Sequence, residues 1–526
     1  MNIAAVLQSL ARAQPAAAAL IEGRGQHRRV TTFAELEHRS QLAAARLRAA
    51  GVAPGQAVLI FQPMSAALYV ALIAVFRLGA VAMFLDPSAG RGHLERCCAL
   101  SPPAALLAST RALWLRLLSP ALRRIPHHFR FNGWAPMAPL LEEAVLTATD
   151  SIAPVDPSAP ALLTFTSGST GEPKAAMRSH GFLIAQHRAL AESLGLQVGQ
   201  VDLATLPIFV LANLASGVTS VIPDTDLRRP GAIEAEPVLQ QIRTERVTRS
   251  AASPAFYECL LTAAGDQAHA LAPLSEIYTG GAPVFPRLLE QLANAVAVGG
   301  KAVAVYGSTE AEPIAHIAWN EISPADFEAM RSGKGLLSGS PVAQIELRIL
   351  ADRWGQTLGP WTGAEFIREC LPAGAIGEIV VSGEHVLPGY LNGRGDTETK
   401  FSVDGRRWHR TGDAGRFDAR GRLWLLGRCT ARIDDARGRL YPFAVECAAQ
   451  EIKGVRRAAL LAVEGKRWLV IEPVSGSQPD HDGLSSIARS VGIDRTLTLD
   501  TIPVDARHNA KIDYPALRRR LAGHIK

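Results

Sequence analysis

A short apolar run, residues 161–165, breaks directly into Thr166-Ser167-Gly168-Ser169-Thr170-Gly171-Glu172-Pro173-Lys174, and this junction limits the chain more than any other feature. A strand that ends in glycines and hydroxyls offers its loop at the carboxyl edge of a sheet, where α/β folds collect ligands. Glycines let the backbone bend close to a ligand, and free amides with hydroxyls can wrap phosphate oxygens. Lys174 adds a cation that phosphate would welcome. The segment is not a Walker loop, because G-x-x-x-x-G-K-[ST] is absent. A plain Ser/Gly surface loop is the bland alternative; the strand before it and the order of nine residues weigh against that.

The rest of the chain alternates helical patterns with short apolar runs. Residues 35–50 read as an amphipathic helix closed by Gly51, residues 56–61 as a strand, and residues 302–306 as another strand ending in a polar turn. Such alternation predicts α/β layers with mostly parallel sheets covered on both faces. The longest apolar stretch, residues 69–85, is interrupted by Arg77 and Gly79. A membrane span needs about 20 apolar residues, so a core helix running into a strand is expected, with peripheral membrane contact left open. A strand-like run ends at Arg428 and the polar stretch 429–439 follows. A boundary there divides the chain into residues 1–428 and 429–526. The tail reads as a helix over 445–452, strands over 458–463 and 468–471, and a helix over 512–521.

Bulk properties exclude some classes. The 526 residues are 48% hydrophobic and 20% charged, enough to bury a sizeable core. Net charge is +6, but no run of five or six basic residues supports a nucleic-acid partner. The six cysteines show no C-x-x-C spacing, which argues against a zinc site and fits a reducing cytoplasm. The first residues lack the charged and continuous apolar regions of a signal peptide.

The 166–174 segment resembles the phosphate-binding loop of the adenylate-forming superfamily: acyl-CoA synthetases, luciferases and the adenylation domains of peptide synthetases. Further matches follow in the family's order over essentially the whole chain. Gly280-Gly281-Ala282-Pro283 resembles the adenine-side turn, and Tyr306-Gly307-Ser308-Thr309-Glu310 the strand-end motif. Gly377-Glu378-Ile379 and Pro388-Gly389-Tyr390 resemble later landmarks. His409-Arg410-Thr411-Gly412-Asp413 resembles the ribose site, and Arg507-His508-Asn509-Ala510-Lys511-Ile512 the motif whose lysine bridges carboxylate and phosphate. The resemblance implies an α/β fold, with a large N-terminal domain of mixed sheets layered with helices and a small mobile α+β C-terminal domain. It implies ATP and Mg²⁺ as cofactors. Thr309 would touch phosphate, Glu310 would help hold Mg²⁺, Asp413 would accept from both ribose hydroxyls, and Arg428 would stand just before the hinge. Lys174, Glu310 and Lys511 would supply the catalytic charge as a substrate carboxylate attacks the α-phosphorus and pyrophosphate leaves.

The family usually passes the acyl group to a thiol after a hinge rotation, so CoA or a carrier protein is an expected partner. This chain departs from the hinge pattern. Thr430 replaces the usual Asp or Lys, Asp434 replaces a basic residue, and Gly438 sits one position late. Ordinary loop drift would account for this as well. Val210 stands where many relatives carry His, and Ala175 where glycine is common. Pro207-Ile208-Phe209, the 219–224 stretch with Asp226 and Arg229-Pro230, and Val504-Asp505 with the 507–512 motif are similar to the β-lactone synthetase family of bacterial long-chain olefin biosynthesis. There a β-hydroxy acid is adenylated and its own hydroxyl closes a four-membered ring; other enzymes of a lipid pathway would be its partners. The acyl pocket is expected near Phe209, Val210, Ser253 and Tyr278, lined by the uncharged stretch 210–217, which suits a medium or long aliphatic acid. His316 is a candidate base for ring closure.

Overall fold

Each apolar run singled out above is a strand or a buried helix in the structure, a computed structural model that describes residues 1–85, 90–143, 150–167, 173–265, 267–504 and 512–522. Two compact units divide the chain, Met1–Asp224 with Glu384–Thr397, and Thr225–Gly383 with Glu398–Lys526. The expected division after Arg428 lies inside the second unit.

The first unit carries a six-stranded sheet in the order His127–Arg130, Pro103–Ala108, Ala57–Phe61, Val81–Phe84, Pro160–Ser167 and Pro173–Ser179. All neighbours are parallel except the last pair, an antiparallel ladder at the sheet margin in which Thr166 lies opposite Lys174 and Ser167 opposite Pro173. Ala57–Phe61 is buried along its whole length, as a parallel strand covered on both faces must be. The helix Phe33–Ala49 begins where the Thr32 hydroxyl accepts from the Glu35 amide at 3.1 Å, an ordinary N-cap. The long apolar stretch resolves into the helix Ala66–Arg77 and the strand Val81–Phe84. Arg77 interrupts it as a buried guanidinium that donates to Glu37 at 2.5 Å, which offsets much of the cost of burying the charge. Among the described residues no helix is long and apolar enough to cross a membrane.

In the second unit Arg249–Ala252, Glu276–Gly280 and Lys301–Ser308 run parallel. From Lys301–Ser308 the sheet continues antiparallel through Ala311–Ala318, Leu336–Pro341, Leu423–Arg428, Arg406–Phe417 and Gly377–Ser382 to Glu346–Leu350. Residues beyond Arg428 add a separate three-stranded sheet, Val455–Val463, Lys466–Pro473 and Arg495–Thr498. It is apolar on both faces. Ala458 and Leu460 pack with Val445 and Ala449 on one side, and Ala459 and Leu461 pack with Leu517 and Leu521 on the other. The helix Pro442–Gln450 contributes to three apolar clusters at once. Val445 and Ala449 face the small sheet, while Ala444 packs with Leu426 and Cys447 with Trp424 of the large one.

Glu446, on that helix, is almost wholly buried and accepts through Oε1 from the Leu460 amide at 2.8 Å and the Tyr514 hydroxyl at 2.5 Å. Burial pushes its carboxyl from an ordinary 4.5 up to about 7. The folded chain therefore keeps this proton to a higher pH than the unfolded chain. Stability falls as pH climbs from about 4.5 through 7, then levels off. Glu446→Gln keeps an acceptor without the charge, and is expected to stabilise the protein by on the order of 3 kcal/mol at pH 8 and very little at pH 5. Thermal unfolding at the two pH values measures this; parallel curves for both proteins would contradict the buried acid.

Candidate functional site

Three of the expected nucleotide residues converge. Tyr306, on Lys301–Ser308, donates its hydroxyl to Asp413 Oδ2 at 2.7 Å. Asp413 lies opposite Arg428 in the ladder between Arg406–Phe417 and Leu423–Arg428, and Arg428 Nη1 donates to Asp413 Oδ1 at 2.9 Å. A carboxylate has about four acceptor positions, so this one, fixed through both oxygens, retains two. The charge of Asp413 holds the Arg428 guanidinium above its ordinary value, and burial pushes the Tyr306 phenol well up. Gly412, between them, has φ +69°, and a Cβ there would lie 2.9 Å from the Trp354 ring and 3.3 Å from Arg428 Nη2.

Beneath this cluster Arg410 and Glu378 form a pair that motif reading passed over. Arg410 Nη2 meets Glu378 Oε2 at 2.7 Å with both side chains essentially unexposed. Arg410 also donates to the Gln356 and Arg353 carbonyls at 2.5 and 3.0 Å. The signal was present at Glu378, a charge inside the otherwise apolar strand Gly377–Ser382, which demands a partner.

The turn after Tyr306 is shaped by Ser308, whose Oγ accepts from the Glu310 and Ala311 amides at 3.3 and 3.2 Å. It presents Thr309 exposed and Glu310 half-buried. Glu310 acts electrostatically on His409, which is held neutral by burial, with its pKa lowered to about 3, and whose Nδ1 meets the Thr399 carbonyl at 3.2 Å. Gly307 is tightly placed, since a Cβ would come within 3.2 Å of Ala311 O. Gly280 lets two strands approach, because a Cβ would meet Val305 O at 2.6 Å. Gly281, Ala282 and Pro283 form the turn that follows Glu276–Gly280.

Tyr278 is flanked by two cations. Its ring lies against Arg249 and Lys301, 5.1 and 5.7 Å from the centroid, and Lys301 pairs with Glu276. Ser253 is the N-cap residue of Pro254–Ala264. His316 is paired with Val305, and Tyr306 with Ala315, so its ring lies on the face opposite Tyr306. That placement counts against His316 as the base.

In the first unit Lys174 pairs with Thr166 in the hairpin ladder. Its ammonium sits 6.0 Å from the centroid of Tyr390, so the Pro388-Gly389-Tyr390 landmark is beside the phosphate-loop lysine. Ser167 ends the preceding strand. Gly168, Ser169, Thr170 and Gly171 lie outside the described residues, as does Lys511. Phe209 and Val210 sit on the helix Pro207–Ser216, both buried.

The stretch after Arg428 is a charged hairpin rather than a loop. Thr430 lies in the short turn Cys429–Ala431, and Ile433–Asp435 pairs with Gly438–Leu440. Asp434 accepts from Arg439 at 2.7 Å and Arg432 at 3.1 Å. Arg432 and the Tyr441 hydroxyl both reach Asp352, each at 2.9 Å, tying the hairpin to the large sheet's loop.

Residues 7–391 match the AMP-binding enzyme family. The chain belongs to that family. As an AMP-binding enzyme it is 32% identical to an olefin β-lactone synthetase of Stenotrophomonas maltophilia (strain K279a), over 97% of this chain and 96% of that protein. It is 28% identical to an indoleacetate–CoA ligase of Aromatoleum aromaticum (strain DSM 19018 / LMG 30748 / EbN1), over 85% and 84% of the two chains. The fold matches ATP-bound MatB from Rhodopseudomonas palustris with a TM-score of 0.81 at 19% identity, over all of both chains. The protein is thus an adenylate-forming ligase, and AMP-binding enzymes of this kind use ATP. The described residues hold no group of three His, Cys, Asp or Glu side chains suited to a metal. Glu310 is the carboxylate that would help hold a hard Mg²⁺ ion drawing most of its oxygens from phosphate and water, and the ion would neutralise charge on the leaving pyrophosphate.

Proposed function

We propose that this ligase adenylates a medium- or long-chain β-hydroxy acid and closes it to a β-lactone, releasing pyrophosphate and then AMP. The substrate carboxylate attacks the α-phosphorus of ATP and expels pyrophosphate. The β-hydroxyl then attacks the acyl carbonyl, loses its proton to a base, and displaces AMP. A tethered nucleophile replaces the thiol, so proximity does the work of a second substrate. The hinge carries this reading. Asp434 stands where the family has a basic residue, and it is ion-paired within a hairpin anchored on Asp352. The likeness to an olefin β-lactone synthetase supports it, as does the uncharged, buried helix Pro207–Ser216. In this reading residues 429–526 form the lid domain, Lys511 and Lys174 supply positive charge, and Asp413 accepts from the ribose.

The second reading is an acid–thiol ligase acting on CoA or a carrier protein, favoured by the indoleacetate–CoA ligase likeness. Mass spectrometry of products from ATP, Mg²⁺ and a racemic β-hydroxy acid, with and without CoA, separates the two. Lactone is expected without CoA; strict dependence of AMP release on a thiol sinks lactonisation.

The ribose assignment has its own test. Tyr306→Phe removes a hydrogen bond to a charged carboxylate. A bond of that type contributes about 1.5–3 kcal/mol to the fold that holds Asp413, so KM for ATP is expected to rise about tenfold and the unfolding temperature to fall by a few degrees. An unchanged KM would detach Tyr306 and Asp413 from nucleotide binding.

A further inference from the structure

We propose that one face of the first unit, built by residues 110–124 and 132–137, docks on the surface of an anionic phospholipid bilayer. The face displays Trp114 at 47% exposure, Leu117 at 59%, Leu118 at 69%, Trp134 at 72% and Met137 at 93%. Single exposed apolar residues are commonplace, but five large ones in two neighbouring segments are not. Two contacts bring the segments together. Arg116 donates to the Pro136 carbonyl at 2.6 Å, and the Thr110 hydroxyl donates to the Asn132 carbonyl at 2.5 Å.

The platform is anchored from below. Leu113, Leu122, Ile125, Ala135 and Ala138 are buried in the core of the six-stranded sheet, which holds both segments against it. Arg111, Trp114 and Leu117 follow a spacing of three in the consecutive turns Thr110–Leu113 and Trp114–Leu117, and Leu118 caps the second, so the four exposed side chains lie along one outward face. Met137 holds φ +55°, a backbone conformation unusual for its type, at the most exposed point of the loop.

Charge selects the occupant. Residues 101–141 contain five arginines and no Asp or Glu. Arg111, Arg123 and Arg124 are exposed and have no ion-pair partner among the described residues. The acids at the margin are committed elsewhere, Glu95 to the Ser119 hydroxyl at 2.7 Å, Glu142 to Arg39 at 2.6 Å and the exposed Glu143 to Arg46 at 3.6 Å. Tryptophans at an interface, short aliphatic side chains and a surrounding cationic rim match a headgroup region bearing negative charge. A second copy of the same chain would set this rim against itself.

Flotation of the full-length protein with phosphatidylcholine vesicles, with and without phosphatidylglycerol, tests the proposal without using its catalytic activity. Binding is expected only to the phosphatidylglycerol vesicles and is expected to weaken with salt. Arg111→Gln, Arg123→Gln and Arg124→Gln together are expected to lower partitioning about a hundredfold, each cation near an anionic surface being worth about fivefold. Trp114→Ser with Trp134→Ser is expected to lower it about tenfold or more, with an unchanged unfolding temperature confirming the fold. No flotation, or flotation indifferent to both sets of substitutions, overturns the proposal. So does light scattering in which these substitutions dissolve an oligomer while vesicle binding persists.

Discussion

Lys511→Ala is expected to slow acid-dependent pyrophosphate release by about a thousandfold while leaving the Kd for ATP within about twofold. The reasoning is electrostatic. A carboxylate must approach an α-phosphate that is itself anionic, and charge builds further as pyrophosphate departs. A cation about 4 Å from both groups is worth about 4 kcal/mol at an effective dielectric of 20, which corresponds to roughly three decades in rate. Binding of ATP alone does not bring the acid to the site, so it is spared. Isotope exchange between pyrophosphate and ATP, with the acid present, reads the first half-reaction directly. An unchanged exchange rate would remove Lys511 from the chemistry and leave Lys174 to account for the positive charge.

Glu378→Ala carries the largest expected effect on stability. It strands the Arg410 guanidinium, which is almost entirely buried and loses three of its contacts with that carboxylate. Removing one partner of such a pair costs about 3–5 kcal/mol, and the unfolding temperature is expected to fall by on the order of 10 °C. Replacing both residues by methionine is expected to recover part of this, since no charge is then left alone. The recovery is partial because the Gln356 and Arg353 carbonyls lose their donor as well. A single variant within about 2 °C of the parent would show that water or a rearranged side chain satisfies Arg410.

What could be read from the sequence was local and ordered. The strands at 57–61, 160–167 and 301–308 were legible because apolar runs end in turn residues there, and the family was legible because many short motifs recur in one order. Pairings across distance were not. Glu378 and Arg410 are 32 residues apart, and neither position says which charge it meets. The 433–440 hairpin looked like a polar loop because its stability comes from Asp434–Arg439 and Asp435–Arg467 pairing, which needs three dimensions. The helix His481–Val491 escaped notice since its few apolar residues sit among Ser, Asp and Gly. His316 was a reasonable base by type and position, yet strand alternation turns it to the other face, and only the register reveals that.

The helix Pro442–Gln450 has a mechanical consequence. With Val445 and Ala449 seated in one cluster, Ala444 in a second and Cys447 in a third, it has no outer side along which to slide. Were the chain to hinge at residues 428–430, as the proposed lid requires, the joint would have to carry this helix and would act as a catch more than as a swivel. Intermediate angles would wet Phe443 and Cys447 together, so such a motion would be expected to proceed in one cooperative jump. Chemistry that is completed by a nucleophile already bound to the substrate can run with the catch closed.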